Sequence, residues 1–206
     1  MLLIILFILA TIFNLYVSRK CLISFPSRNG GRDGHKADSP PLESRRDHAK
    51  THGFYRFFVF EAAIILTALN LKRWFIDWNS WHQLISWVLL SIGAFIVIYA
   101  VYLMKTMGKP QKVEEDSSTF KFENTSVLIK TGLFKYIRHP MYSSLLFLIW
   151  GVFFKSVGVF DFIVVIIGTW FLVKTAETEE KENVERFGKE YEEYMNGTKR
   201  FVPGIF

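Results

Sequence analysis

The sequence predicts an all-α protein: a polytopic membrane bundle of about five transmembrane helices, followed by a C-terminal amphipathic helix on the cytoplasmic side. Half of the 206 residues are hydrophobic and 17% are aromatic. The apolar residues also lie in long blocks instead of being spread at amphipathic spacing. Five blocks approach the roughly 20 residues of a spanning helix, and they cover residues 1–17, 54–71, 84–104, 141–154 and 157–173.

The first and the last two blocks need separate interpretation. Block 1–17 could be a signal peptide, but it has no basic start and no small-residue cleavage site before Arg19, so we expect a retained helix. The fourth and fifth blocks are short, and only Lys155 and Ser156 separate them. We therefore expect a tight helical hairpin, either spanning or partly re-entrant.

The distribution of Lys and Arg predicts the topology. The loops 19–52 and 105–137 are rich in basic residues, whereas the other two turns carry only Lys72, Arg73 and Lys155. Because basic flanks stay cytoplasmic, we expect the N-terminus outside and the long loops and C-terminus inside. The formal net charge of +6 fits this excess of basic residues beside the membrane segments, where they would face lipid head groups. No compact basic module with interleaved aromatics is present, so nucleic acid is not an expected partner.

The first basic loop offers little sign of a metal site or a disulfide. Residues 27–50 are rich in Gly, Ser, Pro and charge, which is typical of an irregular loop. Its histidines, His35, His48 and His52, lack the spacing and acidic company of ligands, and no metal is expected. The single cysteine, Cys21, excludes an internal disulfide; it is either an unmodified thiol or a palmitoylation site beside a helix end.

The stretch "YIRHPMYSS" at 136–144 places polar residues directly before the fourth apolar block. Pro140 suits the first turn of a helix, with Arg138 and His139 at its cap. Free backbone N–H groups and the Arg138 fork favour an anion such as a carboxylate, and His139 and Tyr142 add directional donors or acceptors. Alternatively, Arg138 and His139 only extend toward lipid head groups.

The C-terminal tail predicts a helix with an apolar face interrupted by two carboxylates. Residues at steps of three and four form one face: Val173, Glu177, Glu180, Val184, Phe187, Tyr191 and Tyr194. On this interpretation Glu177 and Glu180 point inward, whereas Glu179, Glu182, Glu185 and Glu193 lie mostly elsewhere. A solvated acidic face is the alternative. An inward pair opposite the cationic cap would suit a zwitterionic ligand.

Residues 130–203 resemble the isoprenylcysteine carboxyl methyltransferase-like membrane methyltransferases, a family related to the phospholipid N-methyltransferases. The resemblance lies in "KTGLFKYIRHPMY", "EE", "FGKEYEEY" and "RFVPGIF", in the order and spacing of the family. It departs at Gly132 to Phe134, where the family often has Gly-Pro-Tyr, and at Ser144, where it often has Gly. The resemblance implies that S-adenosylmethionine binds at the cytoplasmic side, with these cofactor-site residues: Tyr136, Arg138, His139, Tyr142, Glu179 and Glu180.

The implied chemistry is an in-line displacement, for which the protein aligns donor and nucleophile and excludes water. We expect Arg138 to act in catalysis by orienting an anionic acceptor or the cofactor carboxylate, and Glu180 to bind the ammonium or ribose. The acceptor is a lipophilic or small molecule with a carboxylate, thiol or amine. Residues 105–206 would form the methyltransferase core and residues 1–104 the substrate side. A sterol-reductase-like NADPH enzyme and a non-enzymatic membrane scaffold remain alternatives.

Overall fold

The computed structural model describes residues 8–16, 42–108 and 127–205, with side chains described from residue 54 in the second range. Every regular element in these ranges is helical, which confirms the all-α class there. The helices are α1 (8–16), α2 (Leu42–Asn70), α3 (Trp81–Met107), α4 (Pro140–Phe153), α5 (Val159–Phe187) and α6 (Lys189–Gly197). The predictions for Cys21, His35 and most of the 105–137 loop fall outside the described residues.

Within the described residues, three helical stretches are long and apolar enough to cross a membrane: Phe54–Arg73, which is the apolar part of α2 with the 3₁₀ turn after it, Trp81–Met107 (α3) and Val159–Phe187 (α5). The chain is therefore a multi-pass membrane protein. Helix α4 has 14 residues, or about 21 Å at 1.5 Å per residue, against a hydrocarbon thickness of about 30 Å. Of the first apolar block only 8–16 is described, so the total of five spans stays a prediction.

Helix α4 lies at the centre of the bundle, between α3 on one side and the α2–α5 pair on the other. The α3–α4 contact is close because Gly93 has no side chain: a Cβ there would lie 3.1 Å from the Ser144 carbonyl oxygen. The end of α2 is fastened to the start of α5 by Asn70 Nδ2, which donates to Asp161 Oδ1 at 2.7 Å. Helix α1 docks on α2 through Asn14 Nδ2, which lies 3.0 Å from Glu61 Oε2.

The turn between α4 and α5 contains a buried cation. Lys155 is 1% exposed, and its Nζ donates to Gln83 Oε1 at 3.0 Å and lies 3.6 Å from the centre of the Trp87 ring. A carbonyl oxygen and an aromatic face together replace part of the lost hydration. The predicted hairpin is present, but its turn covers residues 154–158 and is longer than Lys155 and Ser156 alone.

One predicted boundary is wrong, and one predicted helix joins another. The irregular loop predicted for 27–50 gives way to helix at Leu42, directly after the helix-breaking pair Pro40 and Pro41. The helix predicted from Val173 onward is present and is continuous with the fifth apolar block, so that α5 runs from Val159 to Phe187. No Pro or Gly lies between Val173 and Gly188, so backbone hydrogen bonding carries the helix into the polar sequence.

Candidate functional site

The site lies at the N-terminal end of α4, where the C-terminal segment returns to the bundle. Pro140 occupies the first turn of α4, as predicted, and His139 is the residue before it. The Arg138 N–H donates to the Lys199 carbonyl at 2.8 Å, and the Lys199 N–H donates to the Tyr136 carbonyl at 3.0 Å. These bonds form a single parallel bridge between Ile137 and Lys199. The tail therefore pairs with the backbone of the segment directly before α4.

The returning segment is fixed by burial as well as by backbone pairing. Phe201 is almost fully buried against Tyr142 and Leu172, and Ser143 Oγ donates to the Phe201 carbonyl at 2.8 Å. Because α4 is short, this end of the bundle has room for a non-helical segment between α4 and α5. The C-terminal residues thus form a wall of the site.

Glu180 is the centre of the site. Its side chain is 5% exposed, and it accepts hydrogen bonds from Arg138 Nε at 2.9 Å, Arg200 Nε at 3.1 Å and Arg200 Nη2 at 2.7 Å. The second and third form a two-pronged contact to both carboxylate oxygens. A buried carboxylate is tolerated here because two guanidinium groups compensate its charge.

Arg138 also joins three parts of the chain. Besides Glu180 on α5, its Nη1 donates to the Met195 carbonyl on α6 at 3.1 Å and to the Thr198 carbonyl in the tail. The planar guanidinium has enough donors to reach all three acceptors at once. Arg138 therefore organises the site instead of extending toward lipid head groups.

His139 lies between the ion-pair cluster and two aromatic side chains, Tyr142 and Phe201. Its ring stacks on Tyr142 with the centroids 5.4 Å apart, and Nδ1 lies 3.9 Å from Glu179 Oε2. His139 Nε2 lies 3.3 Å from Glu180 Oε1 and is buried, but it makes no well-aligned hydrogen bond in the described residues. His139 is thus part of the charged cluster around Glu180, with a hydrogen-bonding position that is only weakly satisfied.

The structure brings most, but not all, of the predicted cofactor residues together. Arg138, His139 and Glu180 are in direct contact, and Tyr142 and Glu179 adjoin His139. Tyr136 is separate: its side chain is exposed and lines a cleft on the outer side of the tail.

The predicted inward face of the tail is correct for Glu180 and only partly correct for Glu177. Glu177 is about one-third exposed and pairs with Lys174 at 2.8 Å, but it also lies 3.8 Å from Arg200 at the edge of the cluster. One continuous face is also wrong beyond Phe187, since Gly188 breaks the helix with a φ of 58°. The chain turns at Gly188, and α6 then brings Tyr191 and Tyr194 inward by a different route.

Arg200 is the functional residue that the sequence reasoning did not single out. It supplies two of the three hydrogen bonds to Glu180, but it is far from the motif at 136–144 in the chain. One signal was available: Arg200 stands in the closing "KRFVP", a basic residue entering an apolar segment.

Two tyrosines hold α6 against the site. Tyr191 and Tyr194 are buried, and the Tyr194 hydroxyl donates to the Phe134 carbonyl at 2.6 Å. Burial raises the pKa of both phenols above the ordinary value of 10. Both therefore stay neutral and keep their hydrogen bonds at ordinary pH.

A half-open cleft of about 620 Å³ lies beside the ion-pair cluster. One wall is formed by Lys135 and Tyr136, ahead of α4, and the other by the end of α6 and residues 198–205. The Arg138 and Arg200 side chains separate this cleft from Glu180. No acidic side chain is found among its described lining residues.

The chain is similar to a curated relative of known name. It is 24% identical over 155 residues to a protein-S-isoprenylcysteine O-methyltransferase of Dictyostelium discoideum. The aligned region covers 71% of this chain. The chain matches 61% of the length of that relative. No solved structure matches the chain.

A family model covers most of the chain. The family is described as protein of unknown function (DUF1295), and its model matches residues 3–198. This range includes α2 to α6 and both Arg138 and Glu180, so the match extends over the bundle and the centre of the site. The chain therefore belongs to the DUF1295 family.

Proposed function

We propose that the protein is an integral membrane S-adenosylmethionine-dependent methyltransferase that acts on a lipophilic or small acceptor at the cytoplasmic membrane face. The buried cluster of Arg138, Glu180 and Arg200 is the observation that carries this proposal. It joins residues from the segment directly before α4, from α5 and from the tail at the place where the sequence motifs meet. The distant similarity to an isoprenylcysteine O-methyltransferase supports the same reaction class.

The side chains of the site fit the zwitterionic amino-acid end of S-adenosylmethionine. Two guanidinium groups can bind its carboxylate, and Glu180, with Glu179 beside it, can bind its ammonium group. His139 is buried with Nε2 lacking a hydrogen bond in the described residues, so a polar ligand atom would satisfy it. Binding would then exchange the internal ion pairs of Glu180 for ion pairs with the ligand, at little net cost in charge.

The cofactor would supply an electrophilic methyl group on a sulfonium. The chain has to hold the acceptor atom in line with that methyl group and exclude water. Arg138 would orient an anionic acceptor or the cofactor carboxylate. The packing of Phe201, Tyr142 and Leu172 seals the bundle side of the site from water. A carboxylate or thiolate acceptor needs no general base, so the proposed reaction does not depend on one.

Ligand titration of the full-length protein in detergent tests this function. S-adenosylmethionine and S-adenosylhomocysteine should bind, and NADPH should not. Binding of NADPH alone would indicate a reductase, and binding of none of the three would favour a scaffold. A screen with labelled methyl donor over lipid extracts and small thiols would then identify the acceptor.

Two variants locate the binding site. Arg138→Ala and His139→Ala should each weaken S-adenosylhomocysteine binding, because they remove a guanidinium group and a buried imidazole ring that contact Glu180. A matched control is Arg186→Ala, since Arg186 is exposed on α5. Unchanged binding in both site variants would contradict the placement.

A further inference from the structure

The cleft on the outer side of the tail carries charges that the ion-pair cluster does not use. Four basic residues line it: Lys135, Arg138, Lys199 and Arg200. Arg138 and Arg200 are committed to Glu180. Lys135 and Lys199 are exposed and take no part in the ion pairs of the described residues. Lys135 Nζ lies 5.8 Å from the centre of the Tyr136 ring. The cleft therefore presents two cations that have no acidic partner among the described residues.

The two lysines stand on walls whose separation is fixed. The Tyr136 carbonyl accepts from the Lys199 N–H, and the Lys199 carbonyl accepts from the Arg138 N–H. The segment that bears Lys135 is also fixed by α6, because the Tyr194 hydroxyl donates a hydrogen bond to the Phe134 carbonyl. Both lysines thus line one cleft and are carried on a backbone that hydrogen bonds hold in place. Such an arrangement suits the binding of an anion between the two lysines.

The position of the cleft indicates the source of that anion. It opens at the N-terminal end of α4, directly before the apolar 14-residue helix begins. Its rim carries the exposed side chains of Tyr136 and Ile205. An aromatic ring with a polar tip, an apolar side chain and lysines are characteristic of the head-group layer of a bilayer. At this depth, phosphate is the most abundant anionic group.

We propose that this cleft binds a phosphate-bearing anion through Lys135 and Lys199, as a site separate from the Glu180 cluster. The chemistry is that of a lipid head group with net negative charge, and a free phosphate compound would offer the same group. Such a site would seat the tail on the membrane surface. Because it needs neither a methyl donor nor an acceptor, it stands or falls independently of the proposed enzymatic activity.

The test is a binding measurement on the full-length protein in a neutral detergent, without methyl donor. The probe is a fluorescent, short-chain phosphatidylglycerol, and its competitors are unlabelled phosphatidylglycerol, phosphatidylcholine of the same chain length, and inorganic phosphate. The double variant Lys135→Gln/Lys199→Gln should bind the probe at least about tenfold more weakly, since each lysine near an anionic surface contributes about fivefold. The double variant Lys181→Gln/Lys189→Gln removes the same charge from exposed positions outside the cleft and should bind as the wild type does.

Competition separates the two sources of phosphate. Displacement by unlabelled phosphatidylglycerol, but not by inorganic phosphate, would support the site and assign it to lipid. Displacement by inorganic phosphate at comparable concentration would support the site and assign it to a soluble compound. Equal losses in the two double variants, equal competition by phosphatidylcholine, or no binding by the wild type would overturn the proposal.

Discussion

At the scale of the single residue, the site depends on one buried carboxylate with two cationic partners. Glu180 lies between Arg138 and Arg200, and all three side chains are at least four-fifths buried. Removing the charge of Glu180 leaves two guanidinium groups facing each other in a poorly hydrated place. Breaking a buried ion pair from one side is costly because the remaining charge is stranded. Glu180 thus contributes to stability and to ligand recognition together.

A glutamate series on α5 separates these roles. Glu180→Gln should lower the free energy of unfolding by about 3–5 kcal/mol and weaken S-adenosylmethionine binding roughly ten- to a hundredfold, through loss of a charge-assisted hydrogen bond. Glu179→Gln should have a smaller effect, since Glu179 is one-third exposed and 3.9 Å from His139. Glu185 is exposed, so Glu185→Gln should change little. Thermal unfolding and ligand titration measure both quantities. Equal losses at Glu179 and Glu180 would contradict the special position of Glu180.

At the scale of the element, the break between α5 and α6 decides which tail residues reach the site. Gly188 adopts φ 58° and ψ −138°, a region that is essentially restricted to glycine. The sharp change of direction lets α6 fold back so that Tyr191 and Tyr194 pack inward. A straight helix would have carried both tyrosines away from the bundle.

Substitution at this break should be more costly than at a neighbouring glycine. Gly188→Ala should lower the free energy of unfolding by about 1–3 kcal/mol, because alanine is strained at this φ. Gly197→Ala is the matched control: a Cβ at either glycine meets open space, but Gly197 has no positive φ. Thermal unfolding and protease cleavage of the tail would show the difference. Equal effects of the two changes would argue against a strained turn at Gly188.

The attachment of α6 should also weaken in alkali. Burial raises the pKa of Tyr194 above its ordinary value, so the neutral phenol stabilises the folded state below pH about 10. This contribution is lost as the pH rises above the unfolded value toward the folded one, since the ionised phenol can no longer donate to the Phe134 carbonyl. Thermal unfolding between pH 8 and pH 11 should show the loss.

The variant Tyr194→Phe provides the control for this pH dependence. It should be less stable at pH 8 by about 1 kcal/mol, the typical contribution of one hydrogen bond, and it should lose less stability on going to pH 11. The prediction fails if the variant and the wild type lose the same amount between these two values.

At the scale of the whole molecule, a short central helix creates the space for the site. Helix α4 is in contact with three longer helices, so other parts of the chain fill the space beyond its two ends. The tail packs at the Arg138 end, and the turn with the buried Lys155 packs at the other end. The site therefore lies at the end of the bundle where α4 begins.

The orientation of this bundle is a prediction from the basic loops, and exposed turns now allow a direct test. In a Cys21→Ala background, Asn79→Cys in the α2–α3 turn and Glu192→Cys on α6 both place a thiol at an exposed position. A membrane-impermeant maleimide applied to intact cells should label Asn79→Cys, and it should label Glu192→Cys only after permeabilisation. Labelling of Glu192→Cys in intact cells would show that the topology is the reverse of the predicted one.

The sequence by itself determined the membrane class and the location of one half of the site. Apolar blocks are visible in composition because a spanning helix must be apolar along its length, and Pro140 marked the start of α4 because proline is favoured in the first helical turn. The helical period also identified Glu180 as inward. These signals are local, so they can be read from neighbouring residues.

The tertiary structure decided which residues meet. Arg200 pairs with Glu180 only because the tail returns to the bundle beside Arg138, and no local pattern shows that contact. Glu177 shares the helical face of Glu180, yet it is about one-third exposed, pairs closely with Lys174 and lies 3.8 Å from Arg200. The periodicity of a helix fixes the direction of a side chain, but burial depends on what the rest of the chain places opposite it.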